Sequence, residues 1–224
     1  SDLTLLQDPR GMSKVRQGVT TEVVGNCGSS AAPLKNKAIA ELEADAREVG
    51  VTRTWHSMAE YLDQFRKAGV GINVVALVGH NTVRGCVLGF DDVQPTPEQQ
   101  AAMERLVAQS MEQGARGLSS GLFYPPGFYA RTPEVIGLAA VAARYNGIYA
   151  SHIRSESDGL IASVAEAIEI GEKANVRVEV AHVKLEGYQN WGVMDQLMAA
   201  IDDGLRRGVR LGFDQYPYVA CSSW

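Results

Sequence analysis

Three side chains that could bind a metal ion are spread widely along the sequence: Cys27, His152 and His182. Each follows the carboxyl end of a segment that the hydrophobic pattern predicts to be a β-strand. One thiolate and two imidazoles form a three-ligand set for zinc that leaves a fourth position for water. Zinc in such a site lowers the pKa of its water to about 7 and polarises a carbonyl oxygen, which is hydrolytic chemistry. The competing interpretation is structural, because cysteine is often buried and isolated histidines often satisfy hydrogen bonds in a core.

Two further features favour a site over buried structural residues. The two histidines end successive predicted strands, and each is followed at the second residue by a cation, Arg154 or Lys184. Residues i and i+2 of a strand share a face, so we expect these cations to point into the pocket of the histidines, which suits an anionic substrate. Arg154 has a second interpretation, pairing with Glu156 or Asp158 in its own loop. His80 also ends a predicted strand, and it either reaches the pocket or orients a loop.

Short β-rich segments alternate with longer helical segments along the chain. Strands are predicted over residues 19–24, 72–78, 117–119, 147–150, 176–181 and 209–213. Helices are predicted over residues 58–67, 97–113, 132–144, 160–173 and 194–206. Thr96 is the predicted N-cap of the second helix, with Gln99 able to close a capping box, and Thr132 repeats the signal. Six strands that alternate with helices at the spacing of βα units predict a parallel sheet.

A barrel accounts for this pattern better than an open doubly wound sheet. A dinucleotide-binding sheet should carry Gly-x-Gly-x-x-Gly after its first strand, and the Gly25-Asn26-Cys27-Gly28 segment lacks that spacing. Reactive side chains after several different strands are typical of the catalytic face of a (β/α)8 barrel. The predicted fold class is therefore α/β, a TIM-like (β/α)8 metal-dependent hydrolase barrel of which about six of the eight βα units are present. No linker divides the chain, so residues 1–224 are expected to form the central part of one barrel domain.

Composition excludes several classes of protein. The 224 residues are 46% hydrophobic and 21% charged, close to the average for soluble globular proteins. The net charge of −5 argues against a nucleic-acid partner, and no apolar segment approaches the roughly 20 residues of a membrane span. Three widely spaced cysteines do not form a disulfide framework and predict a reducing compartment, the cytoplasm. We expect a small-molecule substrate and no membrane partner, and homo-oligomerisation stays open.

Six short segments carry a resemblance to a known enzyme family. They are residues 18–28 (GVTTEVVGNCG), 76–80 (ALVGH), 119–127 (SSGLFYPPG), 150–154 (ASHIR), 190–192 (NWG) and 214–218 (DQYPY). In this order they resemble the N-acyl-D-amino-acid deacylases, or D-aminoacylases, of the amidohydrolase superfamily. The resemblance covers essentially the whole chain, and its specificity comes from the combination of the segments.

This resemblance implies a metal-dependent TIM-like barrel, which in full-length members is flanked by a small β-sandwich. It also implies hydrolysis of N-acyl-D-amino acids to a carboxylate and a free D-amino acid, with one or two zinc ions. Position by position, Cys27 would be the thiolate ligand after the second barrel strand. His152 and His182 would be the ligands after the fifth and sixth strands. Three further residues match positions that bind the anionic substrate: Lys184, Tyr216 and Tyr124.

The sequence departs from the family pattern at both ends. Residues 1–5 resemble the stretch directly after the His-x-His pair of the first barrel strand, and Trp224 lies before the catalytic aspartate that follows the eighth. Asp214 is not that aspartate, because it matches the one that precedes Tyr-Pro-Tyr after the seventh strand. We therefore expect a section of a longer polypeptide, with the catalytic aspartate outside this chain. A serine that contacts substrate in many members falls here on Ser222 or Ser223, without a fixed position.

Two other functions stay open from the sequence. A relative of the hydantoinases or dihydroorotases would act on cyclic amides, but those enzymes generally use a carboxylated lysine as a bridging ligand. The Gly-Asn-Cys-Gly setting of Cys27 argues against that group. The other possibility is a catalytically incomplete zinc-binding fragment, because three ligands can bind zinc without the aspartate.

Overall fold

Parallel strands form the centre of the structure, a computed structural model that describes residues 2–221. The strands are β1 (Thr21–Val24), β2 (Asn73–Ala76), β3 (Val78–Gly79), β4 (Gly117–Gly121), β5 (Ile148–His152), β6 (Arg177–Val180) and β7 (Leu211–Phe213). β1 pairs with β2, and β3 to β7 pair in the order of the sequence. All of these pairs are parallel. Neighbours in each sheet are thus consecutive in the chain, as in the wall of a barrel.

The six predicted strands are all present, and the second is interrupted at Leu77. The amide of Leu77 donates to the carbonyl of Val24 at 2.9 Å, at the end of the β1–β2 pair. Directly after it, β3 pairs with β4, so the chain passes at Leu77 from the two-stranded sheet to the five-stranded one. The predicted α/β class with parallel strands is confirmed. Closure into a barrel and the single-domain organisation stay predictions.

Helices fill the connections between the strands. Their bounds are α1 (Thr4–Gln7), α2 (Met12–Val15), α3 (Lys37–Glu48), α4 (Met58–Ala68), α5 (His80–Val87), α6 (Pro97–Glu112), α7 (Thr132–Arg144), α8 (Leu160–Ala174) and α9 (Met194–Arg206). Short 3-10 helices cover Gly127–Tyr129 and Tyr188–Val193. The five predicted helices correspond to α4, α6, α7, α8 and α9. Helices α1, α2, α3 and α5 come in addition to the prediction.

The capping predictions for α6 and α7 have different outcomes. At α6, Oγ1 of Thr96 accepts a hydrogen bond from the amide of Gln99 at 3.3 Å, and Oε1 of Gln99 accepts one from the amide of Thr96 at 2.8 Å. This is the predicted capping box. At α7 the prediction is wrong, because the N-cap is Arg131 and no side chain caps the helix. Oγ1 of Thr132 instead donates to Oε1 of Glu166 in α8 at 2.8 Å.

The hydrophobic core lies between the strands and the helices that follow them. Leu118, Tyr149 and Val178 stand in register on three neighbouring strands and are fully buried. Helices α6 to α9 pack side by side in chain order. Because the strands are parallel, their carboxyl ends share one edge, and the loops at that edge carry the candidate side chains. No helix in residues 2–221 has both the length and the apolar composition needed to cross a bilayer.

Candidate metal centre

Cys27 lies in the loop after β1, in a backbone conformation that few side chains adopt. Its φ angle of 53° is in the left-handed region, and Gly28 follows with a φ of 82°. Hydrogen bonds with distant segments hold the loop. The amide of Gly25 donates to Oδ1 of Asp2 at 3.0 Å, and the amide of Gly28 donates to Oγ of Ser119 at 3.1 Å. A non-glycine residue in this region costs of order 1–3 kcal/mol, and such residues cluster at functional sites.

Close backbone contact explains the glycines around Cys27. A Cβ atom on Gly121 would lie 2.1 Å from the carbonyl oxygen of Cys27, and one on Gly28 would lie 2.4 Å from the amide nitrogen of Gly121. Neither position has room for a side chain. The cysteine loop therefore rests directly on the end of β4.

His152 is the last residue of β5 and is 8% exposed. Its Nδ1 atom is buried, and no residue in 2–221 forms a hydrogen bond with it. Burial, together with the neighbouring charge of His182, lowers the pKa of the ring to about 4. The ring is therefore neutral at pH 7, which is the form of imidazole that binds a metal.

His182 follows β6 and also has a left-handed backbone, with a φ of 39°. Oδ1 of Asp214 accepts a hydrogen bond from its amide at 2.6 Å and supports this conformation. On the ring, Nε2 lies 3.5 Å from Sγ of Cys27, and Nδ1 lies 2.7 Å from Oε1 of Glu156. Burial lowers the pKa of His182, but the hydrogen bonds to Cys27 and Glu156 raise it more, to about 9. With this pKa the ring carries a proton on each nitrogen at pH 7, and a metal that binds through Nε2 would displace the proton on Nε2.

The three predicted ligands form one cluster of donor atoms. Cys27, His152 and His182 each offer one atom, and these atoms lie within 4.8 Å of one another. The two imidazole rings meet edge to face, with centroids 4.4 Å apart. A thiolate with two imidazoles is a donor set that zinc prefers, and the buried, unpaired nitrogen of His152 fits such a ligand. The structure thus brings the three side chains together, and their role as ligands stays a prediction.

The three residues predicted to bind substrate lie beside this cluster. The ring of Tyr124 packs edge-on against His152, with centroids 4.8 Å apart. Nζ of Lys184 lies 3.2 Å from Nδ1 of His182 and 5.3 Å from the centre of the Tyr216 ring. A cation over an aromatic face is favourable. All three side chains are at the site, and their contact with substrate stays a prediction. The candidate serines, Ser222 and Ser223, lie outside the described residues.

Arg154 does not share the pocket with His152, so that part of the prediction is wrong. Its guanidinium donates to both carboxylate oxygens of Glu166, at 2.8 and 3.1 Å. It also donates to the carbonyls of Phe128 at 3.0 Å and Ala130 at 2.6 Å. Alternation fails here because β5 ends at His152, and the strand geometry does not extend two residues further. Arg154 instead ties the loop after β4 to α8.

The contacts of two carboxylates with His182 were not predicted from the sequence. Glu156, considered there only as a partner for Arg154, instead lies 2.7 Å from Nδ1 of His182 and 2.5 Å from Nζ of Lys184. Asp214 holds the amide of His182. The sequence could have indicated that Asp214 lies at the site, because it directly follows a predicted strand. Glu156 lies inside a loop and has no such signal.

His80 lies in a different cluster. It begins α5, is fully buried, and its Nε2 lies 2.8 Å from Oε1 of Glu134 in α7. The other oxygen of Glu134 lies 2.5 Å from Arg84, which also donates to the carbonyl of Val93. Of the two roles that the sequence left open for His80, the geometry favours the orientation of a loop.

Known proteins are similar to this chain in both sequence and three-dimensional structure. The chain is 37% identical over 210 residues to a D-aminoacylase of Alcaligenes xylosoxydans xylosoxydans, covering 94% of this chain and 43% of that protein. It is 38% identical to an N-acyl-D-glutamate deacylase of Bordetella bronchiseptica. The crystal structure of that enzyme contains zinc and a phosphonate that mimics the tetrahedral intermediate of its reaction. The two structures superpose with a TM-score of 0.87, over 97% of this chain and 45% of that one. The chain belongs to the D-aminoacylase family.

Another solved D-aminoacylase is 32% identical, with a TM-score of 0.86 over 97% of this chain and 46% of that one. That enzyme has a binuclear metal centre, which is activated by one metal and attenuated by the second. The chain thus spans less than half the length of these family members. No protein-family model matches it.

Proposed function

We propose that this chain carries the metal-binding part of a zinc-dependent N-acyl-D-amino-acid deacylase. The observation that carries the proposal is the convergence of donor atoms from Cys27, His152 and His182 within 4.8 Å. Relatives at 37–38% identity supply the reaction class. The substrate would be an N-acyl-D-amino acid, and the products a carboxylate and a D-amino acid.

Cys27, His152 and His182 would hold one zinc ion, and the binuclear centre of a relative supports a second metal nearby. When bound, zinc lowers the pKa of a water molecule and polarises a carbonyl group. The chain's own residues prepare the ligands for this. Burial keeps the ring of His152 neutral, and Glu156 and Asp214 fix the ring and the backbone of His182.

The anionic end of the substrate would bind beside the ligands. The ammonium group of Lys184 would pair with the substrate carboxylate, and the hydroxyls of Tyr216 and Tyr124 would donate hydrogen bonds. The Lys184 side chain is only 18% exposed, so a charged hydrogen bond there is weakly screened. Such bonds contribute about 1.5–3 kcal/mol.

We place the general base outside this chain. It would be an aspartate that takes a proton from water and delivers it to the leaving amine. Glu156 and Asp214, the carboxylates that contact His182, are both committed to holding it. The strands would belong to the wall of a (β/α)8 barrel. The free state of all three cysteines supports a reducing compartment, the cytoplasm.

A second candidate is a cysteine hydrolase that needs no metal. Sγ of Cys27, the ring of His182 and Oε1 of Glu156 are connected by distances of 3.5 and 2.7 Å. This is the order of a nucleophile, a base and the group that orients the base. The presence of His152 in the same cluster, with its unpaired buried nitrogen, favours the metal site instead.

Chelation of the full-length protein separates these candidates. Hydrolysis of N-acetyl-D-amino acids should stop when a chelator removes the metal and return when zinc is added. Activity that survives chelation supports the cysteine hydrolase. Zinc binding without hydrolysis of any amide supports a zinc-binding protein without catalytic activity, and hydrolysis of hydantoins supports an enzyme for cyclic amides.

Cys27→Ala tests the assignment of Cys27 as a ligand, and this variant should lose bound zinc and activity together. Cys86→Ala is the matched control, because Cys86 is not part of the donor cluster, burial raises the pKa of its thiol to about 11, and its Sγ donates to the carbonyl of Pro33. That control should keep both zinc and activity. Zinc retained at wild-type affinity in Cys27→Ala would remove Cys27 from the metal site.

A further inference from the structure

Lys184 is placed where it can oppose metal binding by His182. Its Nζ lies 3.2 Å from Nδ1 of the ring. An ammonium group only donates hydrogen bonds, so this contact favours a lone pair on Nδ1 and, in a neutral ring, a proton on Nε2. Nε2 is the atom that faces Sγ of Cys27 at 3.5 Å. A proton there would block the lone pair that a metal needs.

Glu156 favours the opposite arrangement of the ring proton. Its Oε1 lies 2.7 Å from Nδ1 of His182, and an ionised carboxylate only accepts hydrogen bonds. The proton is therefore favoured on Nδ1, which leaves Nε2 free as a ligand. The Oε2 atom lies 2.5 Å from Nζ of Lys184, so the ammonium donates to the carboxylate rather than to the ring. The two side chains are 11% and 18% exposed, and charges this far from water interact strongly.

We propose that Glu156 is a positioning residue that selects, against Lys184, the tautomer of His182 that binds metal. The inference rests on the proposed function, because it requires a metal at the cluster. It accounts for how a cation suited to the substrate carboxylate can lie beside a metal ligand without disabling it. Carboxylates that orient metal-binding histidines typically contribute 10- to 100-fold to metal affinity.

Zinc affinity of the full-length protein, measured by competition with a chelator, tests the proposal. Glu156→Gln should weaken zinc binding about 10- to 100-fold, whereas Lys184→Met alone should leave it unchanged. The double variant should recover most of the affinity that Glu156→Gln loses. With the ammonium gone, the side-chain oxygen of the glutamine is free to accept a hydrogen bond from Nδ1–H, which restores the same tautomer.

Two controls separate tautomer selection from general damage to the site. Glu169→Gln removes a carboxylate from a pair with Lys173 of similar length, 2.6 Å, on the exposed face of α8, and should keep full zinc affinity. Cobalt in place of zinc gives a thiolate-to-metal charge-transfer band that reports the Cys27 bond. That band should persist in Glu156→Gln at saturating cobalt, which shows that the cluster is still assembled.

The outcomes are distinct for the inference and for the function on which it rests. Wild-type zinc affinity in Glu156→Gln overturns the inference and leaves the proposed function standing. A double variant as weak as Glu156→Gln also overturns it, because Lys184 then does not oppose the carboxylate. A wild-type protein that binds no zinc overturns the proposed function itself. Weakened binding that the second substitution restores supports tautomer selection.

Discussion

Two clusters in this molecule have the same design, a glutamate between a histidine and a cation, and only one of them belongs to the candidate metal centre. Each consists of a glutamate that holds a histidine with one oxygen and a cation with the other. The members are Glu134, His80 and Arg84 in the interior cluster, and Glu156, His182 and Lys184 in the site cluster. The distances from carboxylate to imidazole are 2.8 and 2.7 Å. The pairing pattern and the length of the carboxylate–imidazole contact therefore do not distinguish the two.

The clusters differ in what the second nitrogen of the histidine meets. In the interior cluster, Nδ1 of His80 is buried, has no hydrogen-bond partner within residues 2–221, and all three side chains are at most 3% exposed. In the site cluster, Nε2 of His182 faces Cys27, and the ring packs against His152. The same pairing pattern thus supports the fold where it is fully buried. It belongs to the candidate site where the second nitrogen of the histidine faces the other candidate ligands.

Glu134→Gln should have the largest effect on stability and sharpen this comparison. Arg84 is fully buried, and loss of its counter-charge should lower the free energy of unfolding by about 3–5 kcal/mol. Denaturant unfolding measures this change. Glu172→Gln, which breaks an exposed pair with Arg207, should cost less than about 1 kcal/mol. Zinc affinity should stay unchanged in Glu134→Gln, and a folded variant with weakened zinc binding would break the distinction between the clusters.

The second effect is a loss of stability in acid that depends on the interior cluster. Burial raises the pKa of Glu134, but its contacts with His80 and Arg84 lower it more, to below the ordinary value of 4.5. The unfolded chain then takes up a proton first as the pH falls. The contribution of Glu134 to the free energy of unfolding is therefore complete above pH 4.5. It declines as the pH falls through the pKa of the folded state, by about 1.4 kcal/mol for each unit by which the folded and unfolded pKa values differ. Unfolding midpoints across this range should fall less steeply in Glu134→Gln. Equal slopes in both proteins would contradict the assignment.

The smallest effect is expected at the site cluster and concerns binding rather than stability. Lys184→Met removes the cation proposed for the substrate carboxylate and should raise KM for N-acyl-D-amino acids about tenfold or more, with zinc affinity unchanged. Steady-state kinetics measure it. Lys173→Met, on the exposed face of α8, is the control and should leave KM as in the wild type. An unchanged KM in Lys184→Met would remove that residue from the substrate site.

Local sequence predicted the elements well, and its errors at two residues have a common cause. The capping box at Thr96 forms between residues three positions apart, so no distant part of the chain is needed. Thr132 and Arg154 carry similarly plausible local signals, but both side chains bind Glu166 instead. That carboxylate comes from α8 and reaches them only after the helices have packed. A local pattern cannot anticipate such a competitor.

The sequence by itself determined the α/β class, the positions of the strands, the family and the three candidate ligands. Hydrophobic periodicity and ligand chemistry are properties of short segments, so they can be read without the fold. The tertiary structure alone decided that His80 lies outside the cluster of Cys27, His152 and His182. It also decided which glutamate holds each histidine, across 26 and 54 residues of sequence. It set the left-handed backbone at Cys27 and His182. These features depend on distances between remote segments, which are fixed only when the strands and helices pack.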